Sequence, residues 1–186
     1  MGKSMKYPIE WVTVFSDRNG MRVEFRPCQS DDTELLWEMF STLSENSISN
    51  LVPPLTRERI EGWTSNIDYE KVLAIVALIE EESEQRIIGD ASLQFNPNEH
   101  SKHKAELGIA VHDKYQNKGI GTALLRHLLN IAKMKNLRKV WLEVFTNNNI
   151  AIQIYKKVGF QIEGKLIKER FINGKYRDEY RMAILL

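Results

Sequence analysis

The 186-residue chain has one cysteine, Cys28, so no disulfide can close within it and a reducing compartment is expected. Its four histidines (His100, His103, His112 and His127) are scattered, and no Cys/His/Asp spacing suggests a metal site. His127 falls on the polar side of an expected helix and reads as a surface residue. No apolar run approaches the roughly 18 residues that span a bilayer, so no membrane partner is expected. Behind the basic start Met1-Gly2-Lys3-Ser4-Met5-Lys6 there is no apolar segment, so a signal peptide is not expected and a cytoplasmic location is. Excess charge is missing too: 26 basic residues face 25 acidic ones, a formal net charge of +1. That balance argues against bulk nucleic-acid binding as the main task. With no repeat, low-complexity tract or linker, residues 1–186 read as one domain, long enough to bury a core without staples.

Hydrophobic periodicity supplies the elements. Residues 9–15 and 21–26 alternate like strands and are joined by Ser16-Asp17-Arg18-Asn19-Gly20, a hairpin turn. Asp31 or Asp32 is placed to cap a helix carrying Leu35, Leu36, Met39, Phe40 and Leu43. Residues 44–56 read as a polar loop broken by Pro53-Pro54, and a second helix is expected from Thr56. Strands at 72–80 and 86–95 flank the acidic turn Glu81-Glu82-Ser83-Glu84. A strand at 104–111, a helix at 122–135 and a strand at 139–145 form a βαβ unit, which requires a parallel pair. Asn147 or Asn148 caps a helix that Gly159 ends, and Asn173-Gly174 marks a hairpin between strands at 165–172 and 176–185. The order predicts a mixed α/β fold: a central, mostly antiparallel sheet with one parallel strand pair and helices on both faces.

The most informative segment joins the halves of the βαβ unit. After Val111 the chain runs His112-Asp113-Lys114-Tyr115-Gln116-Asn117-Lys118-Gly119-Ile120-Gly121-Thr122 into an amphipathic helix. Such a loop aims several backbone N–H groups, at the positive end of a helix, toward a bound anion. Gly119 and Gly121 leave room for a phosphate to approach the main chain. The loop has no Lys-Ser/Thr pair after its second glycine, so it is no P-loop. It also lacks the third glycine and downstream acid of a dinucleotide fingerprint.

Gln116-x-x-Gly119-x-Gly121 resembles the acyl-CoA pyrophosphate loop of the GNAT (GCN5-related) N-acetyltransferase superfamily, and its surroundings extend the resemblance. Glu106-Leu107-Gly108-Ile109-Ala110-Val111 resembles the strand that pairs with pantetheine, and Trp141-Leu142-Glu143-Val144 resembles its parallel neighbour. Asn148-x-x-Ala151-x-x-x-Tyr155-x-x-x-Gly159-Phe160 is similar to the motif of ribosomal-protein N-terminal acetyltransferases. Less specifically, Gly20-x-Arg22-x-x-x-Arg26-Pro27 with Asp32 resembles the family's entry strand. Asn66-Ile67-Asp68-Tyr69 ahead of Val72 to Ala77 is similar to Pat-type protein lysine acetyltransferases. Two departures stand out: the loop's usual first arginine is Gln116, and the hairpin with Arg177-Asp178 looks more like ribosomal-protein and small-amine enzymes.

The resemblance implies the GNAT fold, with residues 104–160 as the acetyl-CoA-binding core and residues 1–20 adding an N-terminal strand. It implies that Ile109, Ala110, Val111, Gln116, Asn117, Lys118, Gly119, Ile120, Gly121, Thr122, Asn148 and Tyr155 hold acetyl-CoA, with no metal. Amide formation from a thioester needs a base, an oxyanion site and a proton for the thiolate. Alternation along the two parallel strands puts Glu143 and Glu106 beside one cleft as base candidates; the resemblance to ribosomal-protein acetyltransferases favours Glu143, and in other branches of the superfamily the Glu106 strand supplies the base. Glu143 is otherwise a carboxylate paired with a lysine or arginine. Tyr155 is the acid candidate, or else a core tyrosine against Phe160. The expected activity is transfer of an acetyl group to a primary amine in a ternary complex, with a protein lysine or N-terminus as acceptor. The alternatives are a small amine (polyamine, amino acid or antibiotic-like) and a non-catalytic acyl-CoA-binding regulatory domain. A homodimer is compatible with all of these.

Overall fold

The computed structural model describes residues 7–51 and 55–186. The basic start of the chain and Pro53-Pro54 lie outside those residues. Eight strands form one sheet in the order β1-β2-β3-β4-β5-β6-β8-β7. The strands are β1 (Thr13–Ser16), β2 (Arg22–Pro27), β3 (Val72–Glu81), β4 (Glu84–Phe95), β5 (Lys104–Val111), β6 (Lys139–Phe145), β7 (Gln161–Ile172) and β8 (Lys175–Leu185). All neighbours are antiparallel except β5 and β6. The helices are α1 (Thr33–Ser41), α2 (Glu45–Ile48), α3 (Arg57–Ser65), α4 (Ile120–Met134) and α5 (Asn149–Val158).

Each face of the sheet has its own core. Leu124, Leu125, Leu128 and Leu129 of α4 pack on one face with Ile75, Leu93, Val140, Leu142 and Phe160. Each such side chain withdrawn from water contributes about 1.5–3 kcal/mol. On the other face Leu36, Met39 and Phe40 of α1 and Ile60 of α3 cover Val76, Leu78 and Ile87. No helix among the described residues is long and apolar enough to cross a membrane.

Turn and cap chemistry follows the sequence closely. Asp17 accepts from the backbone N–H of Asn19 and Met21, closing the first hairpin. Positive φ at Glu82 and Ser83, and again at Asn173 and Gly174, gives both later hairpins tight turns. Thr56 caps α3 and Asn148 caps α5 through bonds to Arg59 N and Ala151 N. Gly159, at φ +117°, ends α5 in the left-handed conformation.

Several expectations need correction. Residues 9–15 are not one strand: Ile9–Trp11 forms a 3-10 turn, and only Thr13–Ser16 pairs with β2. Asp32 sits at the start of α1 without capping it, because its carboxylate turns back to Arg26 and to Gln29 N. The loop after α1 contains the short helix α2, capped by Ser44. Helix α4 starts two residues earlier than expected, and β7 begins at Gln161, with its register broken between Leu166 and Arg170. His127 is no plain surface residue: its Nε2 lies 2.9 Å from Trp11 O and its ring leans on Phe25.

Candidate active site

β5 and β6 are in register at Lys104–Lys139, Ala105–Val140 and Glu106–Trp141, and their pairing stops there. Beyond that point β5 keeps its bonds to β4 as far as Val111, and β6 keeps its bonds to β8 as far as Phe145. The two parallel strands therefore part in a V whose apex is Glu106. His112 N–H bonds Ile88 O on β4. By the alternation of an antiparallel ladder, Ile109 and Val111 turn their main-chain groups into the opening, while Ala110 bonds β4. The oxygen of Val111 is already taken by the Gln116 amide at 2.9 Å.

At the open end stands the glycine loop. Asn117 at φ +61° and Gly119 at φ +86° bracket Lys118, and α4 begins at Ile120. The N–H groups from Asn117 through Thr122 meet no backbone or side-chain acceptor among the described residues. Left-handed and right-handed residues in alternation form a concave nest of donors, and the helix dipole reinforces it. A Cβ on Gly121 would lie 3.4 Å from Val111 Cγ2, in close contact with the end of β5. Gln116 does not point its side chain at this nest; it bonds Val111 O and Ser47 Oγ. Asp113 holds the same segment through Ser44 N, Ser44 Oγ and Ser47 Oγ. Burial alone would raise its pKa, yet these bonds together lower it. The glycine loop and α2 thus form one hydrogen-bonded unit, and Arg177 of β8 extends it by donating to Ser49 O.

The sheet brings Glu106 and Glu143 close enough to interact, but in different states. Glu143 is gripped by Arg181 at 2.5 Å and Arg170 at 3.2 Å, and only 12% of its side chain is exposed. Glu106 has no ion-pair partner among the described residues. Burial raises its pKa above the ordinary glutamate value, repulsion from Glu143 adds to the rise, and Arg170 and Arg181 oppose it. Glu179, buried beside Arg170, and Glu169 complete a group of carboxylates around Glu143. Much of the basic hairpin face is therefore consumed in internal pairs, including Lys165 with Asp178.

Tyr155 lies on the opposite face, half-buried against Phe160 and packed on the cluster that includes Ile109. Burial pushes its phenol up to about 12. Asn148 spends its Oδ1 on Ala151 N, which leaves its amide N–H groups free to donate. Cys28 is buried under α1, and burial pushes its thiol up, with Asp90 and Asp32 adding to the rise.

Sequence reasoning missed Asp90. It pairs with Ala110 across β4 and β5 and shares the face of Glu106 and Gly108. Desolvation pushes its carboxyl up to about 7. The signal was a lone acid in the apolar strand Ile87-Ile88-Gly89-Asp90-Ala91. An unfolded aspartate titrates near 4, so between pH 4 and 7 ionisation costs the folded state more than the unfolded one. This contribution is complete below about pH 4 and lost as pH rises through 7. Asp90→Asn is therefore expected to stabilise the protein at pH 8 by on the order of 1–3 kcal/mol. The gain should vanish near pH 4; thermal melts at the two pH values check it, and equal gains at both would refute it.

Comparison with known proteins agrees with this architecture. The family model described as "Acetyltransferase (GNAT) family" matches residues 33–160. The chain belongs to that family. It is 34% identical over 98 residues to the L-amino acid N-acetyltransferase AaaT of Escherichia coli (strain K12), covering 52% of this chain and 60% of that protein. It is 41% identical over 86 residues to the spermidine N(1)-acetyltransferase of the same organism, covering 46% of each. The chain thus spans about half to three fifths of the length of these curated relatives. The GNAT domain of S. lividans PAT superposes with a TM-score of 0.79 at 23% identity, covering 97% of this chain and 100% of that domain, which is a likeness of fold.

Proposed function

We propose that this GNAT protein is an acetyl-CoA-dependent N-acetyltransferase that acts on a primary amine by direct attack in a ternary complex. The parting of β5 from β6 immediately beyond Glu106 carries this reading. It offers a slot for an extended thioester arm, main-chain groups of Ile109 and Val111 along one wall, and the N–H nest for a pyrophosphate.

Glu106 serves as general base, directly or through a water, taking the proton of the incoming ammonium. Its raised pKa suits it to accept that proton, whereas both oxygens of Glu143 are committed to arginines. Glu143 acts as a positioning residue that holds Arg170 and Arg181 and raises the basicity of Glu106. The amine nitrogen attacks the thioester carbon, and the oxyanion that forms is met by main-chain N–H groups of β5. The C–S bond then breaks as Tyr155 protonates the departing thiolate, the nitrogen's remaining extra proton passes through water to the Tyr155 phenolate, and Glu106 releases its proton to solvent. A phenol held near 12 is fully protonated at neutral pH and available for this step. The raised, buried thiol of Cys28 speaks against a covalent acetyl-cysteine route.

The favoured acceptor is a protein amine, a lysine or an N-terminus. The exposed, touching rings of Phe171 and Tyr176 on the hairpin that Arg177 ties to the mouth support this. A small cationic amine is the second reading, favoured by the carboxylates of Glu143, Glu169 and Glu179 beside the slot and by the spermidine-acetylating relative. The test is CoA release from acetyl-CoA across a panel of peptides with free N-termini, lysine peptides, polyamines and amino acids. Turnover on peptides well above that on free amines is expected. The reverse order favours the small-amine reading, and tight donor binding without turnover on any acceptor would overturn the enzyme assignment.

A further inference from the structure

Rows of facing residues cross β3, β4 and β5 on the side of the sheet that α1 and α3 cover. Val72, Gln94 and Glu106 form the outermost row, Ala74, Ser92 and Gly108 the next, and Val76, Asp90 and Ala110 the innermost. The outermost row is exposed, the next is half-buried on β3 and β4, and in the innermost Val76 is buried with the α1 core. Between Glu106 and Asp90 the floor is built of small residues, because Ser92 and Ala110 are short and Gly108 has no side chain. A Cβ on Gly108 would lie 3.3 Å from Ser92 Oγ, so any side chain there would crowd this trough.

An acid stands at each end. The outer one, Glu106, is the base of the proposed reaction. The inner one, Asp90, makes no hydrogen bond and no ion pair among the described residues, and the Ser92 hydroxyl between the two makes no hydrogen bond among them either. The basic residue of the same row, Arg26 on β2, is spent on Asp32 and on Pro27 O. The protein thus strips Asp90 of water without supplying a counter-charge, and desolvation is what raises its carboxyl. Packing gives no account of this acid, since asparagine has the same shape and is expected to be the more stable residue above neutral pH. A cation brought into the trough would offset the cost of the unpaired carboxylate.

We infer that Asp90 is a specificity-determining residue for the acceptor, taking a second positive charge on the molecule whose reacting amine lies at Glu106. This rests on the amine-acceptor reading above. Asp90 faces Ala110, about 13 Å along β5 from Glu106, so with the reach of the side chains the two positive charges stand roughly 10 Å apart. The second charge can come from a small diamine or from a basic side chain of a peptide, and the recognition is the same. An acceptor with a single positive charge leaves Asp90 unpaired and is discriminated against for that reason.

The test is kcat/KM of the full chain for its acceptor, with saturating acetyl-CoA at about pH 8, where Asp90 is ionised. Linear α,ω-diamines of increasing length are compared with alkylamines of the same carbon count. Peptides with a lysine about three residues beyond the acceptor amine are compared with the same peptides carrying norleucine. In at least one of these comparisons the dicationic acceptor is expected to be about ten- to a hundredfold better, mainly through KM, the range for one charge-assisted bond. Where diamines show the preference, it should peak at the length whose extended chain spans about 10 Å. Asp90→Asn, and separately Asp90→Ala, should bring the ratio close to unity, and a thermal melt shows that each variant folds. A preference confined to diamines supports the inference with a small amine as the source of the charge, and one confined to peptides supports it with a basic side chain. No preference in the parent overturns the inference and leaves the transferase reading standing. A preference that survives both variants also overturns it, and assigns the second charge to the carboxylates around Glu143. If no acceptor is turned over, the transferase reading falls and this inference with it.

Discussion

Glu106→Gln is expected to lower kcat by about two to three orders of magnitude, the usual contribution of a positioned general base. The KM for acetyl-CoA should change little, because the donor contacts proposed above are main-chain groups and the glycine loop. Glutamine keeps the size and the position at the apex of the V but cannot take a proton. The pH profile carries the sharper signature. In the proposed role Glu106 acts ionised and its pKa is raised, so the acid limb of kcat/KM in the parent should lie above the ordinary glutamate value. Activity rises with pH through that limb, and the variant should lose the limb altogether. A second variant separates Glu106 from its neighbour. Glu143→Gln removes the repulsion that helps raise Glu106, so the limb should move to lower pH while most of the turnover survives. A profile abolished by Glu143→Gln and kept by Glu106→Gln would reverse the two roles.

Gly119→Val should weaken acetyl-CoA binding about a hundredfold or more while the fold persists. Two costs coincide at this position. The backbone there sits at φ +86°, a region that costs a β-branched residue on the order of 1–2 kcal/mol. Valine would also bring its Cβ to 3.7 Å from the Phe15 ring and add two methyl groups beside the N–H donors. Gly119 is exposed and carries no core contact, so the melting temperature should fall only by an amount in keeping with the backbone strain. Titration with acetyl-CoA and a thermal melt together check this. Unaltered donor affinity would show that the loop is not an anion site.

The two variants bear on features that differ in how far the sequence reveals them. The glycine loop is written locally: strand, polar turn, two glycines and amphipathic helix are contiguous, and their conformations follow from neighbours a few residues away. The same holds for Asn148 and Gly159 on α5, and for the Asn173-Gly174 turn. Each of these rests on bonds within about four residues, and the structure places each as expected. Asp32 shows where that reasoning stops. As a local residue it is a helix cap, but Arg26 on β2 offers a charged partner at 2.6 Å and takes the carboxylate away. Gln116 behaves likewise, spending its side chain on Ser47, 69 residues earlier in the chain.

The choice between Glu106 and Glu143 belongs to the same class. Alternation along two strands put both acids beside one cleft, but nothing in the sequence says which would be left unpaired. That depends on Arg170 and Arg181, which β7 and β8 fold back across the sheet. Asp90 was invisible as a site for a related reason: its perturbation comes from burial between β3 and β5, which only strand pairing produces.

The sequence by itself determined the family, the glycine loop's conformation, the parallel pair and the two carboxylates. All of these depend on short-range patterns of glycine, alternation and capping. Only the tertiary structure decided where β5 and β6 part, which glutamate has no ion-pair partner among the described residues, and that the first hairpin lies against the glycine loop. These are matters of pairing and charge between residues far apart in the chain, and their energies exist only once the sheet has formed.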